Sequence, residues 1–206
     1  MNIVNSKSLL NYNTFKINIF SDLFIEISSN SDVLELLNNK ELKKQEKFIL
    51  GGGSNILFTQ NIRGLVIYNQ IKGIKIIKEG KHIVEVEVGA GENWDDFVKW
   101  STKNDFYGIE NLSLIPGSVG ASPIQNIGAY GVELKDFFIK LEAIHLETKE
   151  IKIFTKSECL FGYRDSIFKN ELKNQFIITK VCFELNKKRK VNLKYKTLKE
   201  KVKKLK

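Results

Sequence analysis

The sequence predicts a small α/β unit followed by further strands and a helix, with glycine-rich backbone shaped for close approach, and three features predict it. Between residues 24 and 68, a strand, a helix, a strand, three successive glycines and further apolar runs follow one another, the order of a small α/β unit. Residues 82–88 (HIVEVEV) and 138–146 alternate between polar and apolar, the period-two pattern of half-buried strands. Between those strands lie residues 114–131 (LIPGSVGASPIQNIGAYG), which hold both prolines of the chain, Pro116 and Pro123.

In chain order, Asn13-Thr14-Phe15 opens the ordered region in this reading, and residues 24–27 (FIEI) form a strand. Ser31 reads as the N-cap of a helix over 32–46, with Val33, Leu34, Leu36 and Leu37 as its apolar stripe. Phe48-Ile49-Leu50 is a strand that runs into Gly51-Gly52-Gly53-Ser54-Asn55; Ile56-Leu57-Phe58 leaves that loop as another strand, and residues 65–68 (LVIY) are a further one. Three consecutive glycines let successive N–H groups converge on an anion, and Ser54 and Asn55 add side-chain donors. The loop is not a phosphate-binding G-x-x-x-x-G-K-[ST] motif, since no Gly-Lys-Ser/Thr follows, and Ile56 stands where a G-x-G-x-x-G fingerprint needs glycine. Two readings stay open: a pyrophosphate cradle, or a tight turn.

After the 82–88 strand, in which His82 reads as an exposed residue, a turn at Gly89-Ala90-Gly91 leads to a helix over 93–104 that buries Trp94, Phe97 and Val98. The 114–131 stretch is too small-sided to pack a core by itself. It reads as backbone lying against a flat or phosphate-bearing ligand, with Gln125, Asn126 and Tyr130 as polar contacts, or as an elaborate surface loop. The strand over 138–146 pairs with one over 150–154, and His145 reads as structural and without a partner. Thr155 and Glu158 have capping-box spacing, which predicts a short helix. Residues 176–185 (FIITKVCFEL) are a last strand, and Leu198, Val202 and Leu205 allow one weak amphipathic helix in the tail.

The formal charge of +9 first suggests a nucleic-acid partner. Residues 187–206, however, carry eleven Lys/Arg and one acid, so the other 186 residues sum to −1. The basicity belongs to a tail, and no nucleic-acid partner is expected. Cys159 and Cys182, with His82 and His145, offer no zinc-ligand spacing, so no metal is expected and both cysteines read as buried and reduced. No apolar run reaches membrane-spanning length, which reads as a cytoplasmic protein with no membrane contact.

Taken together and in order, GGGSN, VGAGENW, IPGSVGASPIQNIGAYGVEL and FGYRDSIFK resemble the UDP-N-acetylenolpyruvoylglucosamine reductase (UDP-N-acetylmuramate dehydrogenase, MurB) family, in its type I branch, over about residues 13 to 200. The resemblance implies an α+β, vanillyl-alcohol-oxidase (PCMH)-type FAD-binding fold of two α/β subdomains. Its divisions would be an N-terminal lead (1–16), a small subdomain (17–70), a larger one (71–186) and a basic tail (187–206). It implies non-covalent FAD, with Gly51, Gly52, Gly53, Ser54 and Asn55 at the pyrophosphate. Ile115, Pro116, Gly117, Ser118, Gly120, Ala121, Ser122, Gln125, Asn126, Gly128, Ala129 and Tyr130 would run along the cofactor. NADPH would be the hydride donor and UDP-N-acetylglucosamine enolpyruvate the substrate, reduced in peptidoglycan synthesis. Arg164 matches the family's catalytic arginine, Tyr163 its substrate-side neighbour, and Tyr195 a tyrosine that closes over the substrate diphosphate. The family's third domain, with its GSFFKNP-like serine motif and a late glutamate, has no counterpart in these 206 residues. The sequence therefore reads as a C-terminally truncated copy, and an FAD-binding remnant or half-enzyme is the alternative to a full reductase. Oligomeric state is left open.

Overall fold

A computed structural model describes residues 2–189, 192, 195 and 199–201. Its strands are β1 (Ile3–Ser8), β2 (Phe20–Ile27), β3 (Lys47–Leu50), β4 (Ile62–Asn69), β5 (Ile74–Glu79), β6 (Ile83–Gly89), β7 (Gly128–Ala129), β8 (Val132–Glu133), β9 (Phe138–His145), β10 (Ile151–Thr155) and β11 (Phe176–Asn186). The helices are α1 (Asn30–Asn38), α2 (Lys40–Lys43) and α3 (Trp94–Lys103).

Two sheets organise the chain. The smaller has the order β1-β2-β4-β3, with β4 parallel to both β2 and β3, and β1 antiparallel at one edge. The larger is antiparallel throughout, in the order β10-β9-β11-β6-β5. Its core lies under α3, where Trp94, Phe97 and Phe183 pack ring against ring, with centroids 5.0–5.8 Å apart. A second apolar cluster crosses from one sheet to the other: Ile25, Leu36 and Ile67 meet Ile144 and Ile177, all with no exposed surface. Burying each such side chain contributes about 1.5–3 kcal/mol, so this cluster holds the two lobes together. A third cluster, with Leu9, Phe24, Leu50, Phe58 and Val66, covers the other face of the small sheet.

Polar ties cross the same junction. Asn69 donates from Nδ2 to the Ile178 carbonyl at 2.9 Å, and Asn30 at the start of α1 donates to Glu142 on β9, also at 2.9 Å. Thr179 donates to the same Glu142 oxygen at 2.7 Å. Burial alone would raise the Glu142 carboxyl, but the bonds from Asn30 and Thr179 and the Lys180 charge hold it below its ordinary value. The β9–β11 register shifts between Ile178 and Lys180, and the bulged Thr179 turns its carbonyl to accept from Ala90 at 2.9 Å.

The helix over 93–104 is α3, capped by Asn93, and Trp94, Phe97 and Val98 are buried as expected. Elsewhere the structure corrects the sequence reading. Order begins at β1, before Asn13. The cap of α1 is Ser29, not Ser31, because Asp32 lies three residues after Ser29 and returns the bond to its N–H at 3.1 Å. The helix ends at Asn38, since the Asn39 side chain accepts from Glu41 and Leu42 N–H and caps α2 instead. Ile56-Leu57-Phe58 is not a strand: β4 already has β2 and β3 beside it, so Phe58 tucks into the third cluster and Leu57 stays exposed. Thr155 and Glu158 form their reciprocal bonds, yet residues 156–160 only turn. His145 is not without a partner: its Nδ1 accepts from the N–H groups of Glu147 and Thr148 and shapes the β9–β10 turn. Leu198, Val202 and Leu205 lie outside the described residues.

Candidate functional site

A cleft of about 410 Å³ lies where the two lobes meet. Three segments contribute most of its lining: the loop that leaves β3, the glycine- and proline-rich stretch, and the turn that enters β11.

In the loop, Gly53 has φ +63°, and a Cβ there would stand 2.0 Å from the Tyr12 carbonyl oxygen, so only glycine fits. The N–H groups of Gly52, Gly53, Ser54 and Asn55 donate to no acceptor among the described residues. Consecutive unpaired N–H groups on a bent backbone form a concavity for an anion. Around it, Ser54 donates from Oγ to the Pro116 carbonyl at 3.1 Å, and Asn55 donates to Gln125 Oε1 at 3.0 Å. The loop is thereby tied to the stretch opposite and left with donors to offer.

The stretch itself is docked on the turn between β6 and α3. Val119 and Gly120 donate to the carbonyls of Glu92 and Ala90 at 2.9 and 2.8 Å, and Trp94 donates to Gly117 at 3.0 Å. A Cβ at Gly120 would come within 2.5 Å of Ala90 Cβ. Further along, residues 122–128 face two ways. Ser122, Ile124, Gln125 and Ile127 line the cleft. Asn126 is fully buried, donates to the Gly162 carbonyl at 2.9 Å and accepts from Lys135 N–H at 3.0 Å.

Arg164 is anchored to the same segment. Its guanidinium donates to the carbonyls of Gly128 and Asn126, and its own carbonyl accepts from Lys169 Nζ at 2.9 Å. Its backbone is held at φ +53°, and Ser166 donates to Ile124 O at 2.7 Å. The loop is laced down, while the guanidinium lies 5.7 Å from the ring of Tyr163, which is 83% exposed. Gly128 and Ala129 form β7 of a hairpin whose two-residue turn, Tyr130-Gly131, has φ +50° and +75°, the primed type that matches strand twist. The Tyr130 ring meets Tyr195 edge-on at 5.6 Å, and Asn111 donates to the Asn192 carbonyl at 3.1 Å.

The sequence-chosen residues thus fall into two groups. Gly51, Gly52, Gly53, Ser54, Asn55, Pro116, Gly117, Ser118, Gly120, Ala121, Ser122 and Gln125 line the cleft. Asn126, Gly128, Ala129, Tyr130, Tyr163, Arg164 and Tyr195 stand outside that lining, and Ile115 packs against the main core. Sequence reasoning missed Phe48, Asn69, Ala90, Trp94, Phe168, Lys169, Leu172 and Lys173, which also line it. Apolar residues inside strand and helix patterns read as core, and the lysines read as solvated. The one available signal was position, because Phe48 lies in the strand that runs into the triple glycine, Phe168 and Lys169 close the FGYRDSIFK motif, and Leu172 and Lys173 come soon after it.

The two cysteines are buried away from the cleft lining, and burial pushes the thiols up to about 12 at Cys159 and about 11 at Cys182. Both stay protonated at neutral pH and take no part as nucleophiles. Among the described residues no helix is long and apolar enough to cross a membrane.

A family described as an FAD binding domain matches residues 21–152, more than half of the chain. A UDP-N-acetylenolpyruvoylglucosamine reductase of Flavobacterium johnsoniae is 54% identical over 196 residues, covering 95% of this chain and 58% of that protein. The corresponding protein of Bdellovibrio bacteriovorus is 44% identical over 202 residues, covering 98% and 60%. The chain therefore spans somewhat over half the length of the curated relatives it matches. Among solved structures, the UDP-N-acetylenolpyruvylglucosamine reductase of Thermus caldophilus matches with a TM-score of 0.70 at 21% identity, over 99% of this chain and 68% of that one. A cholesterol oxidase of B. sterolicum matches at 0.60 and 14% identity, over 85% and 36%. At such identities the likeness concerns the fold alone: an α+β, vanillyl-alcohol-oxidase-type FAD-binding fold of two α/β subdomains. On its sequence and its fold, the chain belongs to the FAD binding domain family, with UDP-N-acetylenolpyruvoylglucosamine reductases as its relatives there.

Proposed function

We propose that this chain holds FAD non-covalently in the interlobe cleft and is the flavin-binding part of a UDP-N-acetylmuramate-forming reductase of cell-wall synthesis. The observation that carries the reading is the row of N–H groups from Gly52 to Asn55 with no acceptor among the described residues, in a cleft of a chain 54% identical to its Flavobacterium relative. The cleft fits a dinucleotide: bare donors for a diphosphate on one wall, and Phe168, Leu172 and Ile178 for a flat ring system on another. The division at residue 70 into a small lobe (17–70) and a larger one (71–186) belongs to the same proposal.

The loop from Gly52 to Asn55 would hold the FAD diphosphate, and FAD, when bound, would supply hydride transfer between NADPH and the enolpyruvyl double bond of UDP-N-acetylglucosamine enolpyruvate, a proton completing the reduction. The chain's residues bind and orient. Arg164 offers its guanidinium to the substrate carboxylate, where negative charge grows as hydride adds; such a donor is worth on the order of 3 kcal/mol of barrier. The bonds to Gly128 and Asn126 pre-set its direction, so little side-chain freedom is lost when substrate arrives. Tyr163 and Tyr195 bound the same surface and would contact the sugar nucleotide. The reaction places the protein in the cytoplasm.

A second reading is a flavin-binding half-enzyme without the overall reaction. It is favoured by one observation: the chain spans 58% of its Flavobacterium relative. The purified chain separates the possibilities. A flavin absorption spectrum with about one FAD per chain supports the cofactor site; a colourless folded chain that takes up no added FAD overturns it. Substrate-dependent oxidation of NADPH then supports the reductase, and its absence in an FAD-loaded chain supports the half-enzyme.

A further inference from the structure

The described lining of the cleft contains no aspartate or glutamate, but it contains two lysines, Lys169 and Lys173. Both come from the turn segment between Ser166 and β11. That segment is held by its own backbone: Leu172 donates to Ile167 at 3.0 Å, Lys173 to Asn170 at 3.0 Å and Gln175 to Leu172 at 3.2 Å. Its acids are kept out of the lining, and Asp165 accepts both bonds from Asn170 at 3.0 Å. The two lysines differ in engagement. Lys169 Nζ is bonded to the Arg164 carbonyl. The Lys173 ammonium has neither an ion pair nor a hydrogen bond among the described residues.

Across the cleft, the loop offers neutral N–H donors and no charge. A diphosphate seated there would keep its net charge in a cleft whose walls include Phe168, Leu172, Phe176 and Ile178, where an unpaired charge is costly. We propose that Lys173 is the countercharge for the dinucleotide's diphosphate, completing a site whose shape comes from glycine and whose charge comes from the turn before β11. The proposal rests on the FAD reading above. One sign of charge in a narrow cleft also raises the local concentration of an anionic ligand, and salt screens that effect.

The test is FAD binding by flavin fluorescence, between low and high salt, for the unsubstituted chain, Lys173→Gln and Lys103→Gln, with riboflavin as the phosphate-free probe. Expected are a roughly tenfold weaker FAD affinity and a flatter salt dependence for Lys173→Gln alone, with riboflavin affinity unchanged. Equal FAD affinity and salt dependence in Lys173→Gln would overturn the inference and leave the FAD site standing. An equal loss in Lys103→Gln would overturn it as an effect of net charge, and a parallel loss of riboflavin would overturn it as an effect of packing. If the unsubstituted chain binds no FAD, the FAD reading falls and this inference falls with it.

Discussion

Two glycine-rich segments meet along the cleft, both pack closely on their neighbours, and they differ in what becomes of their N–H groups. In the loop from Gly51 to Asn55, the N–H groups of Gly52 to Asn55 have no acceptor among the described residues. In the stretch from Gly117 to Gly120, the missing side chains let backbone pack on backbone, and the N–H groups of Val119 and Gly120 are taken by the β6–α3 turn. Composition makes the two look alike. What separates them is where the hydrogen bonds go, and that question can be asked only once the neighbours are known. A glycine run is evidence of close approach; whether the thing approached is a ligand or the protein itself is a separate matter.

Substitutions can break this distinction or sharpen it. The largest effect is expected at Gly120. Gly120→Val would drive a side chain into Ala90, with Cβ atoms only 2.5 Å apart before any adjustment. A loss of about 3 kcal/mol in urea unfolding is expected. Next comes Asn126→Ala, which takes the acceptor from the half-buried Lys135 N–H and leaves the Gly162 carbonyl only its longer bond from Asp165. The expected loss is about 2 kcal/mol, and near-wild-type unfolding would show that water replaces the amide.

Gly52→Ala should behave differently. Gly52 is exposed, and its new Cβ would press at 2.8 Å on Gly117 Cα, shifting the loop away from the stretch. Stability should fall by less than about 1 kcal/mol while FAD affinity falls roughly tenfold or more. If Gly52→Ala unfolds the chain as readily as Gly120→Val, the two segments do not differ in kind.

The smallest effect concerns the lobe contact away from the glycines. Glu142 has its carboxyl held below the ordinary value in the folded chain, so it contributes stability at neutral pH that fades as pH falls through its folded value. Wild type should therefore lose its advantage over Glu142→Gln in urea midpoints below about pH 4.5, while both bind FAD alike at pH 7. A gap between the two proteins that widens in acid would contradict the assignment.

Much of this molecule was legible in its residues. Strands β6 and β9 of the larger sheet follow from alternation, and α3 follows from Asn93 and the Trp94–Phe97–Val98 face. Errors came where two candidates competed locally. Ser29 and Ser31 are both able caps, and the choice is made by Asp32, a signal present in the sequence but outranked by the nearer serine. Ile56 to Phe58 has strand composition, yet a strand needs a free neighbour and β4 had none. For the site, the glycine loop was readable because three glycines in a row have few other uses. Leu172 and Lys173, outside every motif, were not readable: nothing local distinguishes a residue that lines a cleft from one in a core or in water.

The order of the larger sheet has a consequence for how the chain acquires its shape. Its central strand, β11, is the last strand among the described residues, flanked by β9 and β6. Until residues 176–186 have left the ribosome, β5–β6 and β9–β10 are two separate hairpins with no sheet between them. Closing them requires contacts that span about a hundred residues, the kind that slows folding. The bulge at Thr179, which turns a carbonyl toward Ala90 beside the cleft, arrives in the same step. The ligand cleft therefore cannot be complete before β11 has emerged, and a nascent chain stalled short of Asn186 would have neither a closed larger sheet nor a complete cleft.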